Sequence, residues 1–98
     1  MKKNLIKSAL IAAFVVAIGA PAHAADCFAD YKAKQDNPLR LHYGVVQLNG
    51  PCKKGPATSE IAGRLARDGW TLLNVLSVFG PEGLEERKAN AGSYYLRF

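Results

Sequence analysis

Two cysteines, Cys27 and Cys52, constrain this chain of 98 residues more than any other feature. They are its only cysteines, and such a pair in a short exported chain usually forms a structural disulfide. Their spacing is far from that of a Cys-x-x-Cys redox motif, which argues against thiol catalysis. Asp26 stands before Cys27, where a lipoprotein needs a small residue. We therefore predict one intramolecular bridge, worth roughly 3–4 kcal/mol of stability; intermolecular bridges in a covalent dimer are the alternative.

The N-terminal residues indicate that the chain is exported. Three lysines precede an apolar run of about a dozen residues, which ends at a proline and is followed by Ala-His-Ala. This order is typical of a secretory signal peptide, and the run is shorter than the roughly 20 apolar residues of a membrane span. We predict a signal peptide over 1–24, cleavage after Ala24 and a mature domain over 25–98 that is periplasmic or secreted. An uncleaved anchor helix is the alternative.

The residues that remain after cleavage form a small and nearly neutral chain. With 24 of the 98 residues removed, 74 remain, and ten Lys and Arg against eight Asp and Glu leave a net charge of +2. Proteins that bind nucleic acid normally present a clear basic face, so we expect no nucleic-acid partner. A chain of this size forms one domain and buries only about 60% of its unfolded surface, so a disulfide adds needed stability.

The first part of the mature chain has the pattern of two β-strands. Residues 29–34 alternate between apolar and charged side chains, which is the period of a half-buried strand. The triplet Asp-Asn-Pro at 36–38 signals a turn, and a second alternating segment follows over 39–45. The pattern favours a hairpin that brings the two cysteines to one end of the sheet. A short helix over 27–35 is the alternative for the first segment.

A helix and an apolar strand are predicted next. Thr58 or Ser59 would cap a helix that runs to about Asp68, and Gly69 would end it in a left-handed conformation. Residues 70–79 include seven apolar residues in ten, a density that favours a central strand. We expect the core to contain Ile61, Leu65, Trp70, Leu72 and Leu76.

The last segments complete the predicted fold. Residues 80–92 are polar and rich in glycine, which predicts a flexible loop, and residues 93–98 alternate again as a final strand. The sequence therefore predicts an α+β fold, in which a small antiparallel sheet of three to four strands carries one helix packed on one face and is stapled by the disulfide.

The helix–strand junction IAGRLARDGWTLLNV resembles a family of small bacterial domains of unknown function. Members of that family have a strand, an amphipathic helix, a glycine–tryptophan pair that opens a second strand, and a short final strand. The resemblance covers residues 41–79 and 94–98, and Gly69 and Trp70 are its distinguishing residues. It implies the same fold and carries no activity.

Catalytic and metal-binding patterns are weak in this sequence. His42, the only histidine left after cleavage, is predicted to lie exposed on a strand, without a partner at metal-ligand spacing. Glu82, Glu85 and Glu86 alternate with basic residues in the predicted loop, whereas general acid–base catalysis needs rigidly held carboxyl groups. We therefore expect a protein that is not an enzyme and that uses no cofactor or metal.

Two kinds of binding remain as predictions. One helix covers only one side of the sheet, so we expect Leu73, Val75 and Phe79, on the face opposite Leu72 and Leu76, to leave apolar surface uncovered, and such a surface often marks a protein interface. We expect binding to another protein or to a second copy, and inhibition of an exported hydrolase is one form of it. The alternative is weak binding of an anionic ligand or envelope polymer. Its candidate residues are Lys53, Lys54, Arg64 and Arg67, near a helix start that favours anions.

The exported protein is expected to begin at Ala25. Ala22 and Ala24 are small enough for the two signal-peptidase pockets, so cleavage should follow Ala24. N-terminal sequencing of protein recovered from outside the cytoplasm measures this directly. Recovery of the exported protein with Met1 still in place would contradict the predicted cleavage.

Overall fold

The computed structural model describes residues 26–98, so the predicted signal peptide and its cleavage site lie outside the described residues. Three strands and two helices form an α+β fold with a disulfide, as predicted. In chain order they are β1 (Phe28–Gln35), β2 (Arg40–Gln47), α1 (Lys54–Ala66), β3 (Thr71–Phe79) and α2 (Glu85–Ala91). Short 3-10 turns span Pro81–Gly83 and Gly92–Tyr94.

β1 is the central strand of the sheet. The strand order is β2-β1-β3, and both neighbours run antiparallel to β1. The first segment is therefore a strand rather than a helix, and the hairpin prediction is confirmed. The prediction that 70–79 forms the central strand was wrong, because α1 carries the chain across the sheet to the free side of β1. There, β3 has a neighbour on one side only.

Two irregularities interrupt the pairing of β3 with β1. The register shifts between Asp30 and Tyr31 and again between Lys32 and Ala33, which leaves Leu76 and Leu73 without a partner on β1. A bulge of this kind breaks the strict alternation of side chains between the two faces. The prediction that Leu76 belongs to the core was therefore wrong, since this side chain is 39% exposed.

The inner face of the sheet packs against α1. Ile61 and Leu65 of the helix are fully buried, Trp70 is nearly so, and Leu72 packs against them partly buried, as predicted. The side chains of the sheet in this core are Ala29, Tyr31, Ala33, Val46 and Val75. Gly44 pairs with Tyr31 across the hairpin, and a Cβ at that position would overlap the tyrosine ring. The missing side chain gives the ring its space in the core.

The start of α1 differs from the prediction and its end agrees with it. The helix begins at Lys54 rather than at Thr58 or Ser59, because Pro56 lies in the first turn, where no backbone N–H is needed. The Thr58 hydroxyl donates to the Lys54 carbonyl instead of capping the helix. Gly69 has a φ of 80°, the left-handed conformation expected after a helix end.

A second helix covers part of the outer face of the sheet. The prediction of a flexible loop over 80–92 was wrong, because α2 packs there, with Ala91 buried and Arg87 bonded to Asp30. The predicted final strand over 93–98 was also wrong. Tyr95 forms a single parallel bridge to Val45 at the free edge of β2, and the chain then passes to the inner face. Both faces of the sheet therefore carry packed elements.

The disulfide joins Cys27 and Cys52, whose α-carbons lie 5.8 Å apart. Cys27 precedes β1 and Cys52 precedes α1, so the bridge ties the central strand to the segment that leads into the helix. The Leu48 amide donates to the Cys27 carbonyl at 2.8 Å, which extends the hairpin up to the bridge. The predicted intramolecular pairing is confirmed.

Replacing Trp70 by Ala should lower the free energy of unfolding by about 3–5 kcal/mol, because the side chain fills the core beside Ile61 and Leu65. Leu76→Ala is the matched control, and it should cost about 0.5 kcal/mol or less because its side chain is exposed. Urea unfolding followed by circular dichroism measures both values. Equal losses in the two variants would show that Trp70 contributes no more to the core than an exposed leucine.

Candidate functional site

The outer face of the sheet is covered over only half its length. Near the start of β1, Phe28 and Asp30 are buried, and so is Val45 on the neighbouring strand. Further along the same strands, Lys32 and Leu41 are exposed. This contrast arises because α2 has only seven residues and contacts the sheet away from the hairpin turn, where Arg87 bonds to Asp30. The half of the outer face next to that turn therefore lies open.

Exposed leucines lie on the open half of the sheet and in the hairpin turn beside it. Leu39 in the hairpin turn, Leu41 in β2 and Leu73 in β3 are 63%, 66% and 50% exposed, and we call these three residues the leucine surface. Leu41 and Leu73 line a cavity of about 340 Å³ together with Lys32 and Tyr43. Single exposed leucines are common, whereas a group of them around one concave site often marks an interface. The predicted uncovered surface is thus present at Leu73, but the prediction was wrong for Val75, which is buried in the inner core, and for Phe79, which is partly buried.

The boundary of the leucine surface is set by a buried carboxylate. Asp30 accepts hydrogen bonds from the hydroxyls of Ser77 and Tyr43, at 2.6 and 2.8 Å, and from Nε of Arg87 at 3.0 Å. Burial alone would raise the pKa of Asp30, but these bonds and the Arg87 charge outweigh burial and lower that pKa. Burial and the neighbouring carboxylate raise the pKa of Tyr43 to about 12. The network fixes α2 on its half of the face.

Sequence reasoning missed Asp30 and Arg87. An aspartate within an alternating strand has the expected pattern of an exposed residue, and Arg87 was assigned to a loop. Asp30 joins β1 to α2 across a separation of 57 residues, so no local pattern indicates the pair. The only indication is that β1, the central strand, contains the charged residue Asp30, and a charge in a central strand needs a partner.

His42 is buried rather than exposed, so that prediction was wrong. It lies on the inner face of β2, is 8% exposed, and its Nε2 lies 2.9 Å from the Tyr31 hydroxyl, with which it shares a hydrogen bond. The Tyr94 ring stacks on the imidazole at 3.7 Å, and Trp70 meets it edge-on at 4.4 Å. The final segment of the chain, which the sequence assigned to a strand, brings Tyr94 over this position. His42 is thereby enclosed by aromatic rings.

The enclosure determines what His42 can do chemically. Burial, followed by the positive charge of Arg97, lowers the pKa of His42 to about 4, so the imidazole is neutral at pH 7. Nδ1 is buried and has no hydrogen-bond partner among the described residues. A ring that is covered by Tyr94 and already bonded to Tyr31 is poorly placed to accept a proton from a substrate. We assign His42 to the packing of the C-terminal segment.

The candidate anion-binding residues do not form one site. Lys53 and Lys54 are exposed at the start of α1, whereas Arg64 and Arg67 lie at its end. At a rise of 1.5 Å per residue, the thirteen positions between Lys54 and Arg67 correspond to about 20 Å. Arg64 is also occupied, since it donates to Glu60, to the Gln47 carbonyl and to the Phe98 carbonyl. The predicted four-residue cluster is therefore divided between two ends of the helix.

Two further features concern only the part of the chain that the structure describes. Within residues 26–98, no three side chains of His, Cys, Asp or Glu lie close enough together to hold a metal ion. In the same range, no helix is long and apolar enough to cross a membrane.

Comparisons with family models, with curated proteins and with solved structures found no match to this chain. The family resemblance around Gly69 and Trp70 therefore stays a prediction.

The stability of the domain should fall by about 2 kcal/mol between pH 7 and pH 4.5 because of His42. The folded state holds this group neutral down to a pKa of about 4, whereas the unfolded chain binds the proton at about 6.5. The unfolded state thus carries more protons in this window, and stability is lost as the pH falls from 6.5 to 4. Urea unfolding of residues 25–98 at several pH values measures the slope.

His42→Phe is the matched control for this prediction, because it keeps an aromatic ring in place and removes the titrating group. Its stability should change less over the same pH window. The lowered pKa values of Asp30 and Glu60 act on both proteins alike. An equal slope in the variant would assign the acid sensitivity to these carboxylates instead of His42.

Proposed function

We propose that this chain is an exported, non-catalytic domain that binds another protein through the leucine surface. The observation that carries the proposal is the exposure of Leu41 and Leu73 on one open half of the sheet, with Leu39 exposed in the adjoining hairpin turn. Removing apolar surface from water contributes about 25 cal/mol per Å². A protein that covers these three side chains would therefore gain binding free energy from burying them.

The rigidity of the surface supports this role. Leu41 and Leu73 lie on strands that pair with the central strand, and the disulfide fixes the start of that strand. A surface that is ordered before binding loses little conformational entropy when a partner arrives. Rigid strands therefore suit the surface to recognition of a partner.

The charges around the surface indicate the chemistry of the partner. Lys32 is exposed between the strands that carry Leu41 and Leu73, and Lys34 lies on the same face of β1. Asp36 pairs with Lys34 at 2.9 Å, whereas Lys32 makes no ion pair with any of the described residues. A complementary surface would have apolar side chains at its centre and carboxylates at its rim.

Export is part of the proposal. A disulfide and the absence of a spanning helix in residues 26–98 are compatible with an exported protein. A periplasmic or secreted location follows from the predicted signal peptide. The burial of His42 supports a role without catalysis, since the only histidine of the mature chain is enclosed. An exported hydrolase that the domain inhibits would be one partner of the required kind.

The double variant Leu41→Ser/Leu73→Ser should retain at least tenfold less partner protein than the unaltered domain. Immobilised residues 25–98 are exposed to the exported proteins of the native host, and retained proteins are quantified by mass spectrometry. Both side chains are exposed, so the fold should be unaffected. Leu96→Ser is the control, because Leu96 is 43% exposed but lies outside the leucine surface. Equal retention by all three proteins would exclude the leucine surface as the binding site.

A further inference from the structure

We propose that the protein which covers the leucine surface is a second copy of this chain, in a two-fold dimer of outer faces. The inference rests on the proposed function and names its partner. Its starting point is that one face of the sheet presents two unlike halves. One half bears α2, and the other bears Lys32 and the leucine surface at sheet level.

The two halves are complementary in shape. A helix on a sheet raises its half of the face by about 10 Å, which is the usual packing distance between such layers. The other half is a recess by comparison. When two copies meet face to face about a two-fold axis, α2 of each copy enters the recess of its partner, and the same contact is made twice. The leucine surface of each copy is then covered.

The two halves also carry opposite charges. Glu82 in the preceding 3-10 turn and Glu85 at the start of α2 are exposed and make no ion pair among the described residues, and they outnumber the exposed Lys88 of the same half. Lys32 lies exposed on the open half, with Lys34 beside it. In the two-fold arrangement each acidic group of one copy approaches the basic group of the other. Complementary charge of this kind fixes the orientation of two surfaces more than it adds affinity.

The exposed side of α2 has room for close contact. Ala89 lies one turn after Glu85 on the same side of the helix, and both residues are exposed. A small apolar residue there lets α2 approach the leucines of the partner without a bulky side chain in between. Glu85 would then contact the lysine rim while Ala89 faces the leucine surface.

The free edge of β3 offers a different route to a dimer, and the bulges argue against it. Pairing of two edge strands needs an uninterrupted row of backbone groups. In β3, the irregularities at Leu73 and Leu76 bend the strand and break that row within nine residues. Association through the outer face requires no such row.

Two double variants test the dimer, Lys32→Glu/Lys34→Glu and Glu82→Lys/Glu85→Lys. Sedimentation equilibrium of residues 25–98 should give a concentration-dependent dimer for the unaltered protein, weakened by high salt. Each variant alone places like charges at both contacts and should dissociate at least tenfold more readily. A one-to-one mixture places opposite charges at both contacts and should restore the dimer. Circular dichroism checks that each variant is folded, and all the altered residues lie outside the core.

A monomer at all concentrations up to about 1 mM, or a mixture that associates no better than its components, overturns the inference. The proposed function has its own outcome. If the protein is a monomer but still retains a host protein through Leu41 and Leu73, the proposed function stands and the partner is that host protein instead of a second copy. If the protein is a monomer and retention of host proteins is unaffected by Leu41→Ser/Leu73→Ser, both the proposed function and the dimer are contradicted.

Discussion

The buried carboxylate of Asp30 holds the outer half of this structure together. It receives hydrogen bonds from β2, from β3 and from α2, through Tyr43, Ser77 and Arg87. Removing a single partner of a buried charge pair typically costs about 3–5 kcal/mol, because the other charge is left buried without compensation. The position of α2 therefore depends on one acidic residue. The open half of the sheet lies on the hairpin-turn side of that network.

The two faces of the sheet are stabilised by different physical means. The inner face buries aliphatic and aromatic side chains under α1 and encloses His42. The outer face is held by the polar network of Asp30, together with the Arg87 guanidinium stacked on the Phe79 ring at 3.9 Å. A polar anchor covers only the area around it, whereas an apolar core tends to grow to the edges of both layers. This difference explains why Leu41 and Leu73, which lie beyond that network on the outer face, are uncovered.

The parts of the fold that the sequence predicted are those with local causes. A left-handed Gly69 ends a helix because of its own backbone freedom, and the alternation over 29–34 directly indicates the strand that the structure shows over Phe28–Gln35. The parts that were missed depend on contacts distant in sequence. His42 is buried because Tyr94 stacks over it from 52 positions along the chain, and Leu76 is exposed because β1 and β3 pair with bulges. Neither cause leaves a periodic signal. The same holds for α2, whose seven residues are too few to give a clear helical period.

The leucine surface is difficult to explain by folding alone. A domain as small as the described residues 26–98 has little apolar area to spare, yet three large apolar side chains remain in water while the disulfide and a polar network supply stability in their place. Replacing Leu41 or Leu73 by a polar residue should cost the fold almost nothing, since neither is buried. Stability therefore gives no reason for leucine at these positions, whereas contact with another surface does. Because α2 stands beside them on the same face, a second copy of the chain already provides such a surface.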